Sequence, residues 1–221
     1  MDEQSEVTHM DEPSSHLVRF LQQEHIRLQA EIKELREENE SLRAYLKALE
    51  HLYLAAQDIT SEADLITLLD NTMHYAVHLA QASDGSVLLL DPETNELVFA
   101  VVHGDKRGEL RGYRLPIDTG IAGWVAAHRK PVIANHAHQD ARFSPHVDEV
   151  FGFVTRSLIG VPMVAHNRVI GVIEVLNKYT GAPFTEADVH LLLILSSIAA
   201  NALETLRIRL EDQKTSSAPL H

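Results

Sequence analysis

The sequence contains no cysteine among its 221 residues. Without a thiol the chain forms no disulfide bond, no thiolate metal site, no cysteine nucleophile and no thioether link to a cofactor. Positive charge is also scarce, because 19 Lys and Arg residues stand against 32 Asp and Glu residues, for a formal net charge of -13. Surfaces that bind nucleic acid draw their affinity from clustered Lys and Arg, so the composition argues against a nucleic-acid partner.

Long apolar runs are scarce as well. The longest one, Leu191–Ala200, is too short and too interrupted by serine to span a bilayer, and the acidic start MDEQSEV is unlike a basic secretory signal. We therefore expect a cytoplasmic protein without a membrane partner. The length is sufficient for one globular domain with an extension.

Leucine recurs at every seventh position from Leu21 to Leu49, which predicts a coiled coil over residues 16–57 that continues into the first helix of the globular domain. With these leucines at heptad position d, Asn39 falls at position a, where paired amides favour a parallel dimer in register. The predicted dimer residues, called the leucine seam below, are Leu21, Leu28, Ile32, Leu35, Asn39, Leu42, Leu46 and Leu49. The alternative is a long amphipathic helix folded onto its own domain.

A zipper that binds DNA is preceded by a basic helix, whereas the residues before this one are acidic. The coil is therefore predicted to form a homodimer and not to bind DNA. Residues 1–15 and 211–221 are polar and lack apolar periodicity, so we expect a disordered leader and a disordered tail. The globular domain is placed at residues 58–210.

Within the globular domain, apolar residues change from helical spacing to strand alternation and back again. This pattern predicts an α+β fold in which helices pack on an antiparallel sheet of about six strands. A first helix is capped by Ser61, a short helix covers Ile121–Ala127, and a long helix opens at Thr185. The predicted strands are Ser86–Leu90, Glu96–Val102, Arg111–Ile117, Pro131–Ala134, Arg156–Val164 and Val169–Asn177.

The segment Asn135–Phe153 is polar, rich in histidine and almost without periodicity. Long irregular segments inside compact domains are usually binding loops or lids, so a ligand is expected here. Metal binding is the alternative use of its histidines, and of the pair His74 and His78 one helical turn apart. No matching third ligand accompanies that pair, and we predict no metal site.

Five blocks of the sequence resemble the GAF domain family, in the family's order and over about Asp58–Leu206. The resemblance implies a regulatory sensor that is not an enzyme, binds a small molecule between one sheet face and the irregular segments, and dimerises through its terminal helices. The ligand-binding residues that it indicates are Trp124, Arg142, Phe143, Phe153, Thr155 and Ser157, although we expect the single tryptophan mainly to pack. The blocks are Gly120–Ala126, Asp140–Phe143, Thr155–Met163, Ile170–Lys178 and Phe184–Asp188.

The resemblance extends in part to the members of the family that bind cyclic nucleotides, which carry an Asn-Lys, Phe, Asp-Glu pattern. Asn177, Lys178, Phe184 and Asp188 match this pattern, but Val189 stands where the final glutamate belongs. An ion pair between Lys178 and Asp188 would either lock a ligand-holding state or serve as a structural clasp, and we favour the clasp.

Other activities of the family are less compatible with this sequence. Bilin attachment and the methionine sulfoxide reductase reaction use cysteine, which is absent. Haem ligation by one histidine stays open without a distinguished candidate, and no catalytic set is found. The leading prediction is a homodimeric sensor without a resident cofactor, whose ligand alters the helices, and the candidate ligand is a cyclic nucleotide. The alternative is a ligand-free dimerisation or adaptor module for a signalling partner.

Overall fold

A computed structural model describes residues 12–216, and Lys47 and Ala48 mark the boundary between two compact units. The helices are α1 (Glu12–Gln57), α2 (Glu62–Leu79), α3 (Arg107–Leu110), α4 (Gly120–His128), α5 (His146–Phe151) and α6 (Glu186–Ser216). The strands are β1 (Ala82–Asp91), β2 (Glu96–His103), β3 (Arg114–Pro116), β4 (Val132–Ala134), β5 (Leu158–Ala165) and β6 (Arg168–Lys178).

The first unit consists of α1 up to Lys47. Its apolar residues at the heptad positions are uncovered within one chain: Leu28 is 52% exposed, Leu35 56% and Leu46 67%. The predicted disorder of residues 12–15 is wrong, because α1 already begins at Glu12. Residues 1–11 of the predicted leader lie outside the described residues.

The second unit is built on a six-stranded sheet with the order β3-β2-β1-β6-β5-β4, in which neighbouring strands pair antiparallel. The predicted fold class is therefore confirmed. The central strands β1, β5 and β6 contain nearly continuous apolar runs, as expected of strands that are covered on both faces.

Two apolar cores lie on opposite faces of this sheet. On one face α2, α6 and the last turns of α1 cover Val87, Ile173 and Val175. On the other face α4 covers Leu88 and Val172. Because successive residues of a strand point to opposite faces, Glu174 lies on the α4 side, between Val172 and Leu176.

Helix α2 is capped at its N-terminus by Ser61, as the sequence predicts. The Ser61 side chain accepts a hydrogen bond from the Asp64 backbone N–H, and the Asp64 carboxylate accepts one from the Ser61 N–H. This capping box satisfies two backbone donors that the first helical turn leaves without partners.

The structure differs from the prediction before β3. A helical turn, α3, replaces the expected loop and shortens the strand to Arg114–Pro116. Leu110 is the physical reason, because its side chain is buried in the α4-side core and draws the chain into a turn. Gly112 then takes a left-handed conformation, with φ of 84°, and donates its N–H to the Phe99 carbonyl.

The long helix α6 extends to Ser216, so the predicted disorder is wrong for residues 211–216, and residues 217–221 lie outside the described part. By length and composition its Glu186–Asp212 stretch could cross a membrane, although half of it is buried inside the protein. Leu192, Leu195 and Ala199 are fully buried in the core. This burial is what a helix that covers a sheet requires.

Candidate functional site

A cavity lies on the α4 side of the sheet. Its volume, counted as the space that the centre of a water molecule can occupy, is about 90 Å³. The ends of β1, β2 and β6 contribute to its walls, together with the start of α4 and the segment that precedes β5. Apolar side chains form most of the lining, among them Phe99, Val102, Leu110, Leu115, Ile121, Val147, Leu158 and Leu176. An apolar pocket with a few polar groups is the usual form of a small-molecule site.

The polar groups of the cavity come mainly from two adjacent strands. Ser86 of β1 and Glu174 of β6 are direct partners in the sheet register, and both line the cavity. Burial raises the pKa of Glu174 to about 7. Asp84 and Lys106 line the same cavity near its β1 and α3 walls.

The start of α4 is shaped by two glycines. Gly120 adopts φ of 68°, which turns the chain into the helix. A Cβ atom at Gly123 would lie 2.3 Å from the Ile117 carbonyl oxygen, so only glycine lets the helix pack this closely on its own entry loop. The cavity is consequently bordered by Thr119, Gly120, Ile121 and Ala122, at the end where helical N–H groups are without partners.

Residues 135–153, called the covering segment below, form the wall opposite the sheet. The segment contains a short 3-10 turn over Ala137–Gln139 and the helix α5. The sequence predicts a loose helical turn over Val147–Phe153, which α5 matches, whereas the 3-10 turn was not predicted. Phe143, Ser144, Val147, Asp148 and Phe153 from this segment line the cavity.

The covering segment is attached through a buried carboxylate. Asp148 accepts hydrogen bonds from the Thr155 N–H at 2.8 Å and from the Thr155 hydroxyl at 2.7 Å. Both residues are less than 9% exposed. These bonds hold the end of the segment close to the residues that precede β5.

The structure brings three of the six predicted ligand residues to the cavity, namely Phe143, Phe153 and Thr155. The other three do not line it. The Arg142 guanidinium lies 4.8 Å from the centre of the Trp124 ring and makes a two-pronged ion pair with Asp140. Ser157 interacts with the end of β6 through its backbone, since its carbonyl accepts a hydrogen bond from the Asn177 N–H.

Sequence reasoning did not identify Glu174, Ser86, Asp84 or Lys106 as cavity residues. A signal was available for Glu174, which is the one charged residue between Arg168 and Lys178 in an otherwise apolar strand. A charged residue on the inner face of such a strand is costly unless it is paired or functional. Ser86, Asp84 and Lys106 carry no comparable signal, because similar residues border many turns.

The four residues of the Asn-Lys, Phe, Asp pattern lie together at the end of β6, and they are called the clasp below. The Lys178 ammonium group donates to both Asp188 oxygens, at 2.9 and 3.1 Å, and lies 5.4 Å from the centre of the Phe184 ring. The Asn177 side chain accepts from the Arg156 N–H and donates to the Val154 carbonyl. The clasp therefore joins the end of β6 to the start of α6 and to the residues before β5.

The histidines considered for metal binding are spread over several contacts. The His74 and His78 rings are stacked with centres 6.4 Å apart, and His146 shares a hydrogen bond with the Tyr113 hydroxyl. His138 packs edge-on against Phe143. Within residues 12–216 no group of three His, Asp or Glu side chains has the arrangement of a metal site.

Comparisons with known proteins agree with this architecture. A family model described as "GAF domain" matches residues 64–203. The chain is 35% identical over 88 residues to the mouse (Mus musculus) "Cone cGMP-specific 3',5'-cyclic phosphodiesterase subunit alpha'", covering 40% of this chain and 10% of that protein. It is 31% identical over 125 residues to the "Probable 3',5'-cyclic phosphodiesterase pde-5" of Caenorhabditis elegans, covering 52% of this chain and 17% of that protein.

Solved structures of similar fold come from different proteins. The GAF domain of a phosphoenolpyruvate-protein phosphotransferase from Coxiella burnetii superposes with a TM-score of 0.65 at 17% identity, covering 76% of this chain and 98% of that one. The free methionine-R-sulfoxide reductase of Neisseria meningitidis, solved with its substrate, gives a TM-score of 0.61 at 23% identity, covering 75% of this chain and 91% of that one. At these identities the likeness is one of fold.

Proposed function

Because this chain belongs to the GAF domain family, we propose that its second unit is a regulatory domain that binds a small molecule in the cavity beneath α4. The observation that carries the proposal is the cavity itself, which is mostly apolar and receives the Glu174 carboxyl group from its strand floor. We propose a role in sensing without catalysis. This function requires that the ligand bind one arrangement of the helices more tightly than another.

A cyclic nucleotide is the ligand class that we propose. Two features of the cavity support it in addition to the names of the curated relatives. The N-terminus of α4 borders the cavity, and the Thr119 side chain makes no capping hydrogen bond there. Free helical N–H groups and the helix dipole favour a phosphate at this position. The apolar walls and Glu174 would then contact the base of the nucleotide.

Thermal unfolding with cyclic nucleotides tests this proposal. A ligand at one hundred times its dissociation constant stabilises the folded state by about 2.7 kcal/mol, which corresponds to a rise in Tm of roughly 5–10 °C for a domain of this size. We expect such a rise with cyclic GMP or cyclic AMP and a smaller one with 5'-GMP, which lacks the ring phosphate. Unchanged melting temperatures with both cyclic nucleotides at millimolar concentration would refute the nucleotide proposal.

We propose further that the protein acts as a parallel homodimer. The support is the part of the leucine seam that lies in the first unit, whose apolar side chains are about half exposed or more in one chain, whereas Leu49 lies in the second unit and packs against its core. A contiguous exposed apolar row of this length indicates an interaction surface, and heptad spacing favours a second helix of the same kind as its partner. A parallel coil would hold two sensor domains side by side.

The adaptor hypothesis is the second candidate, and a second apolar surface favours it. An open groove in the second unit runs between the end of α1 and α6, bordered by Tyr53, Ile194, Ile198 and Thr205. A protein partner is an alternative occupant of such a groove. Mass spectrometry of the freshly purified, denatured protein distinguishes the two functions, because a stoichiometric small molecule supports the sensor and its absence supports the adaptor.

A further inference from the structure

The Glu174 side chain lines the cavity from strand β6 of the sheet. Its strand neighbours in the register are Ser86 on one side and Gly160 on the other. The absence of a side chain at Gly160 leaves room there, since a Cβ atom would lie 3.7 Å from a Glu174 carboxyl oxygen and 3.2 Å from Val125 of α4. The side chain is thus surrounded by protein, and its remaining accessible surface opens to the cavity.

Among the cavity carboxyl groups of the described residues, Glu174 is the one without a partner from the protein. Asp148 accepts two hydrogen bonds from Thr155, and Asp84 accepts one from the Ser83 hydroxyl. No hydrogen bond or ion pair within residues 12–216 reaches Glu174. A carboxyl group kept unpaired at this depth is costly, and the cost is offset when a ligand supplies the missing partners.

The charged groups around the cavity do not neutralise Glu174. The packed elements bring Asp84 from β1, His103 from β2, Lys106 from the start of α3 and Asp148 from α5. The α4 residues next to the Gly160 position that faces Glu174 are Ile121 and Val125, and like Gly160 they carry no charge. Burial alone raises the pKa of Glu174 to about 7, so both protonation states are present near neutral pH.

We propose that Glu174 determines the ligand specificity of this cavity through its two protonation states: the carboxylate selects a ligand edge with two hydrogen-bond donors, and the acid selects an edge with one donor and one acceptor. The proposal rests on the function proposed above. A carboxylate offers only acceptors, whereas a protonated carboxyl group offers one donor and one acceptor. The N1–H and 2-amino edge of guanine matches the carboxylate, and the N1 and 6-amino edge of adenine matches the acid.

The expected pH dependence follows from the fraction of protein in the competent state, because the apparent dissociation constant equals the intrinsic one divided by that fraction. With a group that titrates at about 7, the carboxylate fraction rises from roughly one tenth at pH 6 to nine tenths at pH 8. Cyclic GMP should therefore bind about tenfold more tightly at pH 8 than at pH 6. Cyclic AMP should bind about tenfold more weakly, and cyclic IMP, which lacks the 2-amino group, should lose most of the cyclic GMP gain.

Isothermal titration calorimetry of the whole chain with these three nucleotides at pH 6, 7 and 8 tests the proposal. The Glu174→Gln variant keeps the shape and a fixed donor and acceptor, so it should bind cyclic AMP with little pH dependence and lose the preference for cyclic GMP at pH 8. Glu149→Gln changes an exposed carboxylate of α5 and should behave like the parent protein.

The outcomes separate this inference from the function on which it rests. Nucleotide binding that is independent of pH, or a pH dependence that survives in Glu174→Gln, overturns the role of Glu174 and leaves the sensor function intact. Absence of binding by all three nucleotides at every pH overturns both the role of Glu174 and the proposed nucleotide ligand. Infrared spectroscopy of the ligand-free protein gives an independent readout, since a protonated-carboxyl band present at pH 6 and absent from Glu174→Gln is required.

Discussion

Breaking the Lys178–Asp188 pair from either side should destabilise the domain, and the costs of the two changes should not add. The two side chains are 10% and 12% exposed, so the pair is largely withdrawn from water. In Asp188→Asn the buried ammonium group loses its counter-charge, which we expect to cost about 3 kcal/mol, the lower end for buried pairs, because the amide oxygen still accepts one hydrogen bond. For a domain of this size that loss corresponds to a Tm roughly 6–12 °C lower.

Removing the positive charge of the pair instead should cost less folding stability, because Asp188 keeps other hydrogen-bond donors. In Lys178→Met the Asp188 carboxylate still accepts hydrogen bonds from the Thr185 N–H at 2.8 Å and from its hydroxyl at 3.0 Å. We therefore expect a cost of about 1–3 kcal/mol. In the double variant neither buried charge is left uncompensated, so its cost should be at least about 1 kcal/mol below the sum of the single costs.

Urea unfolding followed by circular dichroism, at one fixed protein concentration, measures these free energies. Lys106→Met is the matched control for stability, because Lys106 forms a more exposed pair with Glu109 in the same unit, with side chains 29% and 58% exposed, and its loss should change stability by at most about 0.5 kcal/mol. Additivity of the two single variants within about 0.5 kcal/mol would refute the idea of a buried, mutually compensated pair. The same variants also distinguish clasp from lock, since a structural clasp leaves the dissociation constant of a bound nucleotide unchanged in the double variant.

Two further predictions concern the tryptophan and the leucine seam. Trp124 is the single tryptophan, so a ligand that shifts the covering segment should change its fluorescence by moving the Arg142 guanidinium that lies over the ring. The Arg142→Leu variant should lack that change, and an equal fluorescence response in both proteins would contradict this prediction. Replacing Leu28 and Leu35 together by Ala should convert the dimer to a monomer in analytical ultracentrifugation, whereas Ile26→Ala, at an exposed position outside the seam, should not. A fully dimeric Leu28 and Leu35 variant would show that other surfaces hold the pair together.

The sheet could be predicted from the sequence because its strands carry strong local signals. Runs such as Val169–Asn177 are apolar over enough residues to identify a central strand, and the turn residues between them limit the pairing. The short strand β3 could not be placed in the same way. Its boundary depends on Leu110, whose burial is a tertiary effect that local alternation does not record.

The composition of the cavity was harder to predict than the fold. Phe143, Phe153 and Thr155, which the family resemblance indicated, line the cavity, and the first two belong to the covering segment. Trp124 and Arg142 stack on each other instead, and the direction of a side chain on a short helix is set by its packing partners. Glu174 could have been found by asking why an apolar strand contains one carboxyl group on its inner face.

The position of Glu174 suggests how a ligand would act on the helices of the second unit. Glu174 and Asn177 are three residues apart on β6, and Lys178 follows at the strand end where it pairs with the first turn of α6. A ligand that pulls on the carboxyl group therefore acts on the same strand that holds α6 through the clasp. The other side of α6 borders the groove shared with the last turns of α1. Packed elements tend to have discrete arrangements and do not deform continuously. A small shift of β6 would therefore change the packing of these two helices only if the ligand binds one of two such arrangements more tightly than the other.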